Sequence, residues 1–141
     1  MLTNELNPSF YEHRNAQYFS LPLYIFNNEY KKDHHESIIE QHLHKNVKNR
    51  YFQVPEFVFK EFAKGNLSEV CVWILLTCFY LLHINKRNGF SEGEILQLVM
   101  EARKKTCSYP SLKKCFKHCV AELKRSGWIE QKNRLIFLKI F

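Results

Sequence analysis

Residues 67–85 read LSEVCVWILLTCFYLLHIN, and from Val70 to Leu82 every position but Thr77 is apolar. Those thirteen positions fall short of the ~20 that a bilayer-spanning helix needs. A helix apolar all round has no face for solvent, and a strand of this length is rare. The run therefore predicts a helix buried on most sides at the centre of a small domain. Ser68 stands where a side chain caps the free amides of the first turn, and Leu67 and Val72 have the spacing of a hydrophobic staple. Asn85 and the polar run Lys86-Arg87-Asn88-Gly89 mark its end.

A chain of 141 residues fits one domain with an arm. Apolar content of 45% and aromatic content of 15% supply a core, and four glycines and four prolines favour helices over a sandwich or barrel. The polar opening MLTNELNPSF has no positively charged lead into an apolar run, so a cytoplasmic location is expected. Five cysteines, at 71, 78, 107, 115 and 119, argue against a disulfide framework in such a chain, and cysteines on apolar helix faces act as small hydrophobes. Cys107, Cys115 and Cys119 with a histidine form a zinc set only by stretching the usual pairwise spacing. No metal site is expected.

Charge is unevenly placed. Residues 1–100 carry 10 Lys and Arg against 11 Asp and Glu, a net of −1; residues 101–141 carry 11 against 3, a net of +8. Such asymmetry points to a polyanionic partner, with a merely solubilising basic surface as the alternative.

Taken in order, residues 1–17 read as a polar arm with a turn at Asn7-Pro8. YFSLPLYIF (residues 18–26) and YFQVPEFVF (residues 51–59) match at an offset of 33. Two copies are too few for a solenoid, and they read as one structural device used twice: an extended Tyr-Phe-x-Leu/Val leading into proline at a first helical turn. Between them His34, His35, His42 and His44 lie in a tract rich in Asn, Lys and Glu. They are expected to be exposed on a polar helix or linker, with metal binding the alternative.

After the central helix, Ser91 and Glu94 have capping-box spacing, and Ile95, Leu98, Val99 and Ala102 follow at i, i+3, i+4 and i+7, an amphipathic helix. Residues 103–107 then form a short polar connection. The next helix begins near Tyr109, because the residue before Pro110 avoids helical angles, and stops at Gly127. At about 100° per residue, Leu112, Cys115, Phe116, Cys119, Val120 and Leu123 cover one side. Lys113, Lys114, Lys117, His118, Lys124 and Arg125 share an arc of about 140° on the other, with Glu122 at its edge. Two β-prone runs flanking Lys132-Asn133-Arg134 then predict a hairpin whose Trp128, Ile129, Leu135, Phe137 and C-terminal residues close over the helices.

Thr106-Cys107-Ser108-Tyr109-Pro110-Ser111, then residues 112–123, then Ser126-Gly127-Trp128-Ile129 resemble the recognition helix and wing entry of the winged helix-turn-helix superfamily. The resemblance covers residues 67–141. The segment 111–127 is about one turn longer than usual. Tyr51-Phe52-Gln53-Val54-Pro55-Glu56-Phe57-Val58-Phe59 ahead of the buried helix is similar to the N-terminal domain of plasmid replication initiators of Gram-positive bacteria. The resemblance implies a mainly α (α+β) fold: a winged-helix domain over residues 51–141 with a C-terminal hairpin wing, preceded by an extension over residues 1–50.

It also implies double-stranded DNA as partner, in transcription regulation or plasmid- or phage-type replication initiation. The early face of the helix (Ser111, Lys114, Lys117 and His118, with Lys113 at the flank) would meet base edges. Lys104, Lys105, Ser108 and the helix N-terminus would meet phosphates. Lys124 and Arg125 would extend the cationic face, and Lys132, Asn133 and Arg134 at the wing tip would meet phosphate or the minor groove. The helix carries no Asn, Gln or early Arg, the residues suited to bidentate base reading, so affinity is expected to exceed sequence specificity. The N-terminal part is left for homodimer or partner contacts. The competing reading is an adaptor in which the basic helix meets an acidic protein. No glycine loop, nucleophile–base signature or paired-carboxylate motif marks an enzyme, and no cofactor is implied.

Overall fold

The computed structural model describes residues 17–26, 50–103 and 109–139. Its elements run β1 (Tyr18–Pro22), a single 3-10 turn (Leu23–Ile25), β2 (Tyr51–Pro55), α1 (Glu56–Ala63), α2 (Glu69–Asn85), β3 (Phe90–Ser91), α3 (Glu92–Arg103), α4 (Tyr109–Arg125), β4 (Ile129–Lys132) and β5 (Leu135–Leu138). This is an α+β fold built around α2. From Cys71 to Leu81 every α2 residue is buried except Trp73, which is half-buried. The helix forms where the apolar run predicts, capped by Ser68, whose Oγ accepts from the Cys71 N–H at 3.2 Å. Thr77, the polar residue inside the run, is buried and donates its hydroxyl to the Trp73 carbonyl at 2.7 Å. That bond one turn back removes the cost of an unpaired hydroxyl in the core. No helix among the described residues is long and apolar enough to cross a membrane.

The two matching nonapeptides pair with each other. β1 and β2 run antiparallel with Tyr18 opposite Pro55, Ser20 opposite Gln53 and Pro22 opposite Tyr51, which places a local two-fold at the Ser20–Gln53 pair. Gln53 Nε2 donates to Ser20 Oγ at 2.7 Å. The ring contacts obey the same symmetry: Phe19 meets Phe59 at 5.1 Å between centroids, and Phe26 meets Phe52 at 6.0 Å. One pair faces inward, where Phe26 also packs on Tyr80 at 4.8 Å and edge-on to Trp73 at 6.0 Å. The equivalent outer pair is left partly open, with Phe19 exposed. Pro22 and Pro55 are extended and precede the helical turns rather than entering them; the fixed φ of proline suits both places. Residues 18–26, expected within an N-terminal extension, are thus part of the core, with Leu23 and Phe26 buried.

The second sheet has the order β3-β5-β4. β3 is two residues long, Phe90 opposite Ile136 and Ser91 opposite Leu135, and Asn88 lengthens it with a side chain. Asn88 Nδ2 donates to the Leu138 carbonyl at 2.8 Å while its Oδ1 accepts from the Leu138 N–H at 2.9 Å. The carboxamide occupies the register position that a further strand residue would take. Gly89, between them, has φ +124°, and a Cβ there would lie 2.9 Å from the Phe137 ring. Ile136 and Leu138 are buried, whereas Leu135 is exposed and Phe137 half-buried. Of the residues expected to close over the helices, Trp128, Ile129 and the C-terminal Leu138 are buried, whereas Leu135 and Phe137 are on the other face: Ile129 is opposite Leu138, and strand period two sends Ile136 and Leu138 inward with it.

α3 forms as predicted. Ser91 Oγ accepts from the Glu94 N–H at 3.1 Å, Ile95 and Val99 are fully buried, and Leu98 and Ala102 pack at the margin of the core. Arg103, expected in a polar connection, ends the helix as a buried residue whose guanidinium lies 3.3 Å from Glu69 Oε2 at the start of α2. The histidine tract, Cys107, Lys104, Lys105 and Ser108 lie outside the described residues.

Two glycines four residues apart should respond oppositely to alanine. Gly89→Ala meets both a left-handed φ and the Phe137 ring, so a loss of about 1–3 kcal/mol is expected. Gly93→Ala, in the first turn of α3 with nothing within 4 Å of the added carbon, should gain about 0.5 kcal/mol. Urea midpoints at constant slope measure both. His83, near the end of α2, has its pKa lowered by burial first and by Lys86 second. The unfolded chain then binds the proton more readily, so stability is full above about pH 6.5 and declines as pH falls below it. Thermal melts across pH 7.5 to 5 should show that decline, and His83→Gln should reduce it.

Candidate nucleic-acid interface

α4 spans 17 residues, and its two sides are chemically opposed. Leu112, Phe116, Cys119, Val120 and Leu123 are buried, which fixes the rotation of the helix about its own axis. Cys115, expected on this side, is exposed; it sits at the edge of the apolar arc, where the neighbouring core no longer covers it. The helix ends as the sequence predicts. Gly127 adopts φ +86°, its N–H donates to the Lys124 carbonyl at 3.2 Å, and the Trp128 N–H donates to the Leu123 carbonyl at 3.0 Å. This double closure satisfies the last carbonyls and aims the chain into β4. Trp128 is buried and stacks on Phe57 of α1 at 5.6 Å.

The opposite side carries Lys113, Lys114, Lys117, His118, Lys124 and Arg125, all exposed. Its two ends differ. Toward the C-terminus, Glu122 Oε1 lies 3.7 Å from His118 Nε2 and 3.4 Å from Arg125 NH2. Lys124 Nζ donates to Gln131 Oε1 at 3.0 Å, and Gln131 Nε2 donates to Glu92 Oε2 at 3.1 Å. One carboxamide thus ties α4, β4 and the start of α3 together. Toward the N-terminus, Lys114 and Lys117 have no ion pair or side-chain hydrogen bond among the described residues. Exposed ion pairs of this kind contribute roughly 0.2–1 kcal/mol each, so they orient the C-terminal cations more than they stabilise the fold.

β4 and β5 are joined at Asn133-Arg134, both at positive φ, +52° and +67°. A two-residue hairpin needs this mirror-image turn to match strand twist, and it favours Asn or Asp then Gly. Asn133 fits, but Arg134 is held in a region that a non-glycine residue rarely adopts. Lys132 pairs with Glu130 at 2.9 Å on the strand behind the tip.

Of the thirteen candidate residues, Lys113, Lys114, Lys117, His118, Lys124 and Arg125 lie on one helix face, and Lys132, Asn133 and Arg134 lie in the adjoining hairpin. Lys104, Lys105 and Ser108 fall outside the described residues, as does the side chain of Ser111. The sequence reading missed Gln131 and Glu92. No residue pattern signals a link between positions 39 apart; only the return of β4 beside α3 brings them together.

Compared with known proteins, the chain matches no family model, no curated protein and no solved structure. Its function rests on the side chains themselves.

Arg134→Gly tests the turn. Glycine relieves the left-handed φ, so a gain of about 1 kcal/mol in unfolding free energy is expected. Chemical denaturation of the two proteins side by side measures it.

Proposed function

We propose that the chain is a winged helix-turn-helix protein that binds double-stranded DNA. The observation that carries this reading is α4: one side is locked in the core while the other presents six basic side chains, beside a hairpin with Arg134 at its tip. The order α2, β3, α3, α4, β4, β5 and the strand order β3-β5-β4 support the same reading, with α2 as the scaffold helix, α4 as the recognition helix and the hairpin as the wing.

In this reading the B-DNA major groove, about 12 Å wide, receives the exposed side of α4. Ser111, Lys114, Lys117 and His118 approach base edges and Lys113 the flanking backbone. Lysine is a strongly hydrated point charge with weak geometric demands, and the strength of the complex comes mainly from phosphate neutralisation. Lys104, Lys105 and Ser108 before α4 and Asn133 and Arg134 on the wing add backbone contacts. His118 and Arg125, already beside Glu122, bring less net charge. Such a protein serves transcription regulation or replication initiation through affinity for a duplex, with sequence choice supplied by further contacts.

The test is fluorescence anisotropy with a random 30-base-pair duplex at two salt concentrations. Six to ten phosphate contacts make affinity fall by ~10³ to 10⁵ between 50 and 200 mM salt. Lys113→Glu/Lys114→Glu/Lys117→Glu should abolish binding while leaving the circular dichroism and melt unchanged. Lys117→Gln should lower the salt slope by about 1, and Arg125→Gln by less, because Glu122 already offsets its charge. Absence of wild-type binding at low salt would sink the reading and favour the adaptor, whose basic helix meets an acidic protein.

A further inference from the structure

Where the N-terminus of α2 meets α4, an exposed serine and two buried cysteines gather. Ser68 Oγ accepts from the Cys71 N–H at 3.2 Å and lies 3.6 Å from Cys119 Sγ. Cys71 Sγ lies 3.9 Å from the Cys119 carbonyl oxygen, so Ser68 and Cys119 both border the Cys71 side chain and its helix turn. Both sulfurs are reduced in the structure. Cys71 and Cys119 are 2% and 7% exposed, but Ser68 above them is open to solvent. No group of three or more His, Cys, Asp or Glu side chains converges on a metal position among the described residues, so the pair stands as a dithiol.

We propose that Cys71 and Cys119 form a reversible oxidation site, which takes a small peroxide as oxidant and closes a disulfide between α2 and α4. The geometry assigns different roles to the two sulfurs. Cys71 is in the first turn of α2, where the helix N-terminus favours a thiolate. The neighbouring Cys119 side chain lowers its pKa first, with Ser68 adding to the effect against the opposing influence of burial and of Glu122. Cys119 is pushed the other way, by the neighbouring Cys71 side chain first and by burial second. Cys71 is thus the attacking sulfur and Cys119 the resolving one. The Cys71 thiolate attacks one peroxide oxygen, the O–O bond breaks, and a sulfenic acid and hydroxide form; the hydroxide leaves as water after taking a proton. Cys119 then loses its proton and attacks Cys71 Sγ, the S–O bond breaks, and a second water departs. Two thiols and one hydrogen peroxide give one disulfide and two waters. Two other thiols serve as internal controls: Cys78 is enclosed in the core, where burial pushes its pKa up, and Cys115 is exposed on α4.

The experiment treats the folded full chain with one equivalent of hydrogen peroxide, alkylates the remaining thiols, and maps linkages by tryptic mass spectrometry with fragmentation. Cleavage after Lys117 separates Cys115 from Cys119, so their linkages are told apart. The expected product is a monomer two mass units lighter, with Cys71 joined to Cys119 and restored by dithiothreitol. Cys115→Ser should form it equally well, whereas Cys71→Ser should not form it. Because the bond joins residues 48 apart in sequence, it restricts the unfolded chain, and the melting temperature of the oxidised protein should rise by several degrees and return on reduction. Oxidation confined to Cys115, or a Cys71–Cys119 linkage that appears only in urea, would overturn the proposal. So would a melting temperature that falls on oxidation. None of these readouts depends on DNA binding.

Discussion

Burial of α2 is the constraint on which the rest of the structure depends. Ile74, Leu75 and Cys78 are fully enclosed, and β2, α1, α3 and α4 all pack against this helix. The β1–β2 ribbon supplies Phe26 and Phe52 against Tyr80. α3 brings Ile95 and Val99, and α4 brings Leu112, Phe116 and Leu123. A helix with no polar side cannot choose its own orientation. Orientation comes instead from its ends: the Ser68 cap, the Glu69 contact with Arg103, and the left-handed Lys86 that turns the chain toward Asn88. Polar detail at the termini sets direction, and apolar area along the shaft supplies the driving force.

Much of this is legible in the sequence because it rests on local rules. The caps at Ser68 and Ser91, the exit at Gly127 and the split of α4 into apolar and basic sides follow from spacings of three and four residues. What escapes are pairings between distant segments. The nonapeptide repeat is visible, but nothing in one strand states that its partner is its own copy. Period two does not say which of two adjacent residues in β5 faces inward, and Ile136 takes the inner place expected of Leu135. Asn88 reads as a turn residue; its work as a strand surrogate needs Leu138 at the other end of the domain. Arg103 reads as the start of a polar link, and its burial depends on Glu69 lying across from it.

The pseudo-two-fold of the β1–β2 ribbon shows how one device produces two environments. The Phe26–Phe52 contact and the Phe19–Phe59 contact are equivalent by sequence position. The first is sealed because α2 lies on that side. The second is partly open because no described element covers it. The copies diverge after proline for the same reason. The first ends after one 3-10 turn at Ile25, whereas the second continues as α1 to Ala63 and carries Phe57 to its stack on Trp128. That stack joins the ribbon to the base of the hairpin and makes the N-terminal segment part of the domain.

The electrostatics of α4 follow from the same packing. Once Leu112, Phe116, Val120 and Leu123 are seated, every 100° step is set, and the lysines are left on the exposed side of the helix. Where α4 runs beside the hairpin, Glu122 and Gln131 fall within reach, and the C-terminal cations acquire partners. Before that junction Lys114 and Lys117 stay unengaged among the described residues. Among the described residues the surface is therefore graded, with its unneutralised charge displaced toward Lys114 and Lys117. Arg134 extends the gradient from the other side, in a turn that would be easier to form with glycine. A cation kept where backbone geometry disfavours it is the kind of local conflict that accompanies a binding role. In the proposed reading, Lys114 and Lys117 on α4 and Arg134 at the hairpin tip are where a duplex would meet exposed positive charge among the described residues.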